Sequence, residues 1–73
     1  MNYQPCVLFA RRQRILAHGH YDAYTLNGLY IMSASGPIGL MLYQLKQKGF
    51  EPVSPNSTIF AAFCYQFPFV VNH

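Results

Sequence analysis

Between Cys6 and His18 the apolar positions are Val7, Leu8, Ile15 and Leu16, with Phe9 and Ala10 between them. Leu8, Arg11 and Arg12, Ile15 and Leu16 fall at helical spacing, which predicts a first helix with the arginines beside or opposite its apolar face. Gly19 stands where a glycine commonly ends a helix. Asp22 is a candidate N-cap, with Thr25 an alternative start. Leu26, Leu29, Tyr30 and either Ile31 or Ser33 then mark a short second helix. Ser33-Ala34-Ser35-Gly36 reads as a turn, and Ser35 can cap a third helix whose first turn holds Pro37. Ile38, Met41, Leu42 and Leu45 give that helix the clearest apolar stripe of the chain, and Gly49 stops it.

After Gly49 the character changes. Phe50 and Val53 predict a short strand in which Pro52 suits an edge. Ser54-Pro55-Asn56-Ser57 is a turn, and the aromatic run Thr58–Phe67 reads as a second strand that Pro68 ends or bends. The expected fold class is therefore α+β: three short helices followed by a C-terminal β-hairpin. One small domain covers 1–73, with 1–6 a loose start, 7–49 helical and 50–71 the hairpin.

At 73 residues and 8.3 kDa the chain has room for one thin core, since a domain of this size hides only about 60% of its unfolded surface. Only 10% of it is charged, against roughly 25% in an average soluble domain. That balance excludes an acidic disordered tail and a charge-laced coiled coil. Two uncharged stretches remain, 23–45 and 52–73. The first has the length of a membrane span, which needs about 20 apolar residues. Gly28, Gly36, Pro37 and Gly39 interrupt it, however, and mean hydropathy is only +0.11. A single-span membrane subunit built on Leu26–Leu45 is thus a lesser alternative to a soluble protein. The first ten residues lack the apolar segment of a signal peptide, so Cys6 and Cys64 are read as reduced thiols in the cytoplasm, their pairing left open.

The cadence Leu42-x-x-Leu45-x-x-Lys48-Gly49-Phe50, with helices before it and a hairpin after it, resembles small winged helix-turn-helix proteins of bacteriophages and mobile elements. Ile15-Leu16-Ala17-His18-Gly19 and Tyr43-Gln44-Leu45-Lys46 share that likeness. The resemblance spans about Arg11 to Tyr65. It implies a positioning helix over Thr25–Ser33, a recognition helix over Ser35–Lys48, and DNA binding. The sequence departs from the family pattern at Gly36–Met41, which offers no polar side chain to read a base. Base contacts would then fall to Tyr43, Gln44 and Gln47.

Five basic residues against two acids, and an isoelectric point near 9.1, suit an anionic partner. Phosphate contacts would come from Arg11, Arg12, Arg14, Lys46 and Lys48, which otherwise serve as solvated faces. His18 and His20 with a distant His73 do not make a metal site, and no cofactor is implied. Asp22 and Glu51 are the sole carboxylates, and nothing orients Cys64 toward a histidine, so no catalysis is expected. In the aromatic strand, Phe60, Phe63, Tyr65, Phe67 and Phe69 exceed what a small core needs, and the first four of them mark an interface. The expected function is a non-catalytic DNA-binding regulator acting as a dimer. The alternative is a protein-interaction module, an accessory subunit or inhibitor docking on a larger protein through Met41, Tyr43 and the aromatic strand.

Overall fold

The computed structural model describes residues 2–15 and 18–71, without the side chains of 12–15. Its strands come first. Three of them form an antiparallel meander: β1 (Gln4–Ile15), β2 (His18–Thr25) and β3 (Tyr30–Pro37). Helix α1 (Ile38–Gln47) crosses one face of the sheet to β4 (Phe50–Pro52), which pairs parallel to the start of β1. The sheet order is β3-β2-β1-β4. Helices α2 (Thr58–Gln66) and α3 (Pro68–Val71) close the other face.

This overturns the expected order of three helices and a C-terminal hairpin, and with it the arrangement on which the winged-helix resemblance rested. The segment from Cys6 onward is a strand because the sheet is covered on both sides. Cys6 and Leu8 pack toward α1, whereas Val7 and Phe9 pack toward α2. A strand buried on both faces reads as a continuous apolar run, not as alternation. Register shifts at Ala10/Arg12 and Gln13/Ile15 add to the false helical spacing.

Asp22 caps no helix but lies in mid-β2 opposite Phe9 and Ser33. Leu26–Leu29 is the turn of a hairpin, with Gly28 at φ +84°. There the Thr25 carbonyl accepts from the Gly28 N–H at 2.9 Å, and its hydroxyl accepts from the Leu29 N–H at 3.1 Å. Ser33–Gly36 is strand, so Leu26–Leu45 is divided among a turn, β3 and most of α1. Among the described residues, no helix is long and apolar enough to cross a membrane.

The third expected helix survives as α1. Met41 and Leu45 are buried against Cys6, Tyr21 and Ala23, with Ile38 beside them. Gly49 ends the helix at φ +89°, and its carbonyl accepts from the Gln4 N–H at 2.9 Å, fixing the start of β1 against the end of α1. β4 holds the edge position that Pro52 suggested.

The aromatic run 58–66 is helical, not a strand. Ser57 caps it, its hydroxyl accepting from the Phe60 N–H at 3.1 Å. Phe60, Phe63 and Phe67 then recur at intervals of three and four, which puts them on the side facing Val7, Phe9 and Tyr24. The molecule thus has two small cores, one on each face of its sheet.

Candidate interaction surface

Nothing between Pro52 and Val71 is charged. A helix with apolar residues around its whole circumference is normally buried on every side. Instead α2 is buried on one side only. Phe63 is 3% exposed, and Phe60, Cys64 and the C-cap residue Phe67 are half-buried, while the other residues of the helix are exposed. Tyr65 stands 88% exposed and Ile59 48%, with Ala61 and Ala62 also exposed. Phe69 of α3, 75% exposed, extends the surface and meets Phe67 edge-on at 6.5 Å. Thr58 and Gln66 are the polar members of this outer side of α2.

The hairpin turn lies along the same helix. Leu26, Ile59, Ala62, Phe63 and Gln66 line an open groove of about 220 Å³. Gly28 lies so near Phe67 that an added Cβ would stand 2.7 Å from the ring. The turn therefore needs glycine twice, for its positive φ and for the ring behind it.

Of the residues expected at an interface, Tyr65 is the most open. Phe63 and Met41, by contrast, are core residues and unavailable to a partner. Ile59 was missed, because in a strand it would have been an ordinary alternating position, and Phe69 was counted only among the excess aromatic residues; helical spacing from the Ser57 cap would have found Ile59.

The basic residues divide between two places. On α1, Tyr43, Lys46 and Gln47 are exposed on the outer side with Lys48 just beyond, while Gln44 is half-buried. Lys46 also borders an open groove of about 370 Å³ with Leu42, Glu51, Pro52, Val53 and Pro55. Arg11 lies seven residues along β1 from the end of α1, about 23 Å at the rise of a strand. Its guanidinium donates to the Asp22 carboxylate at 2.9 Å. Arg12 and Arg14 are on β1, but their side chains lie outside the described residues.

Asp22 is buried, and its pairing fits the cost of hiding a carboxylate. It accepts from Arg11 and from the Ser33 hydroxyl, and Ser33 in turn accepts from Tyr30 at 2.9 Å. Next to this cluster Ser35 and His20 Nδ1 share a hydrogen bond at 2.5 Å. These groups continue the sheet face that α2 covers at its other end, and their bonds are made to one another across β1, β2 and β3. Cys6 and Cys64 are both free thiols. Among the described residues, no three His, Cys, Asp or Glu side chains cluster as metal ligands would. No protein-family model, curated protein or solved structure matches this chain.

Proposed function

We propose that this chain is a small non-catalytic interaction module of the cytoplasm, an accessory subunit or inhibitor that docks on a larger protein through the outer side of α2 and α3. The observation that carries this reading is the exposed, uncharged face of Ile59, Ala61, Ala62, Tyr65 and Phe69. Large exposed apolar patches usually mark interfaces, and aromatic side chains are enriched among those that carry binding energy. Charge narrows the partner. With Asp22 buried and paired to Arg11, Glu51 is the one acid left against the four other basic residues, so the fitting partner offers an apolar groove with an acidic rim. The free thiols of Cys6 and Cys64 support a reducing compartment.

The test uses the intact chain as bait. A protein recovered with the wild type is identified, purified and titrated against variants. Tyr65→Asp and Phe69→Asp are expected to weaken its binding at least tenfold, with far-ultraviolet circular dichroism unchanged, while Lys48→Gln retains most of it. Equal binding by Tyr65→Asp and wild type overturns the reading.

A second reading, a DNA-binding regulator, is favoured by one observation: Tyr43, Lys46, Gln47 and Lys48 lie exposed together at one side of α1. Salt titration with random duplex DNA separates the two. The regulator predicts a slope reporting at least about two phosphates, removed by Lys46→Gln with Lys48→Gln; the module predicts no binding at about 50 mM salt.

A further inference from the structure

The sheet face under α2 is longer than the helix that covers it. Val7, Phe9 and Tyr24 lie beneath α2, and Phe9 packs on Phe60 with ring centroids 5.2 Å apart. Beyond Phe9 the face turns polar. Asp22 stands opposite Phe9 on β1 and Ser33 on β3, and His20, the next position on that face of β2, stands opposite Ser35. Arg11 reaches the same face from the bulge in β1 between Ala10 and Arg12. An acid is disfavoured in mid-strand and costly to bury, yet the chain places one of its two here, 3% exposed. Asp22 holds the Arg11 guanidinium at 2.9 Å, while the Arg11 side chain stays 49% exposed. In the same way Ser35 holds the exposed His20 ring through Nδ1. Two nitrogen-bearing side chains at the surface are thus each pinned by a partner on the neighbouring strand.

We propose that this polar end of the sheet binds a phosphate dianion, either free phosphate or the terminal group of a phosphate monoester. Charge selects an anion. All three arginines of the chain lie between positions 11 and 14 of β1, and His18 and His20 begin β2 beside them. Glu51 is at the other end of β1, where β4 pairs with Gln4, Pro5 and Cys6. The Asp22 carboxylate is buried behind Arg11, so it is the guanidinium and not the acid that meets solvent.

The number of donors selects phosphate. A carboxylate has two oxygens and is satisfied by the fork of one guanidinium. With the Ser35 hydroxyl donating to Nδ1, Nε2 of His20 carries the proton and adds a third donor, which suits a group with three terminal oxygens. Asp22 and His20 are two positions apart on β2, about 7 Å along the strand. A tetrahedral anion bridges that gap by accepting from Arg11 on one side and from His20 on the other. Because both donors are held before the ligand arrives, little ordering remains to be done on binding. This site lies on the sheet, apart from the outer side of α2 and α3.

Amide shifts of the intact chain, followed by nuclear magnetic resonance at constant ionic strength, test it. The probes are methyl phosphate, inorganic phosphate, dimethyl phosphate and acetate. Methyl phosphate or inorganic phosphate is expected to shift His20, Asp22 and Ser35 saturably, with a dissociation constant of about 1 mM or below. The tighter of the two identifies the source of the dianion. Dimethyl phosphate and acetate are expected to bind at least about fivefold more weakly, having less charge or fewer terminal oxygens. His20→Gln, a change at an exposed position, raises the phosphate dissociation constant by about fivefold. Arg11→Gln combined with Asp22→Asn removes both charges at once, leaving no unpaired buried carboxylate, and raises it by about tenfold or more. Lys46→Gln with Lys48→Gln leaves it within about twofold of wild type. No saturable shift by about 20 mM of either phosphate overturns the proposal. So does acetate or dimethyl phosphate binding as tightly as phosphate, or unchanged binding by the folded Arg11→Gln, Asp22→Asn pair. Tyr65→Asp binds phosphate as wild type does, so failure here is distinguishable from failure of the docking surface.

Discussion

Cys6 sits on β1 with no exposed surface, packed against Tyr21, Ala23, Met41 and Leu45. Burial disfavours the thiolate and pushes the thiol up from 9.0 to about 11. Below pH 9 the thiol is protonated whether the chain is folded or not, so it leaves stability unchanged. Between about pH 9 and 11 the unfolded chain ionises and the folded chain does not, so stability falls as pH rises through this window. Tyr24 works in the same direction: desolvation, then Asp22 and Tyr30, raise its phenol, against a lowering by Arg11. Urea midpoints are expected to be flat from pH 7 to 9 and then drop, with Cys6 contributing at most about 2–3 kcal/mol by pH 11. Cys6→Ala should flatten the drop and leave the part due to Tyr24. A curve for Cys6→Ala as steep as for wild type would refute the assignment.

At the scale of the element, α2 separates side chains that a strand would have grouped. In a strand, Phe63, Tyr65 and Phe67 would share one face; in the helix, Phe63 joins Val7 and Val70 in the core while Tyr65 points to solvent. Phe63→Ala is expected to cost about 3–5 kcal/mol, and Tyr65→Ala less than about 0.5 kcal/mol, measured by chemical unfolding. Similar costs for both would contradict the helix.

The same contrast explains what could be read from the chain in advance. α1 was legible because one side of it is buried, so Met41 and Leu45 keep their helical spacing beside polar neighbours. β1 was not, because helices cover both sides of the sheet there and a bulge falls at Arg11, erasing the period of two. α2 was hidden by its aromatic content, which favours strands in general, although the cap at Ser57 and the spacing of Phe60, Phe63 and Phe67 were visible. The hairpin of β2 and β3 had a signal of its own in Asn27-Gly28, a pair that favours tight turns. The helical spacing of Leu26, Leu29 and Tyr30 competed with it. Of the candidate surface, Tyr65 was legible from excess aromatic residues alone; which neighbours join it depended on knowing the element.

For the whole molecule, a sheet with a helix layer on each face leaves a chain of this size with two small cores and little apolar residue to spare. It nonetheless spends Ile59, Tyr65 and Phe69 on its surface, in a stretch with no charge to keep that surface wet. The scarcity of charge that resembles a membrane segment in the sequence becomes, in the folded chain, an uncovered helix face.

Site-specific photocrosslinking in the native cell tests the docking face most directly. A benzophenone side chain is placed at Tyr65, at Phe69 and, as an exposed aromatic control, at Tyr43 on α1. The account predicts that positions 65 and 69 yield the same adduct with one larger protein and that position 43 does not. Adducts from position 43 alone, or adducts at 65 and 69 whose mass is only that of a second copy of this chain, would contradict it.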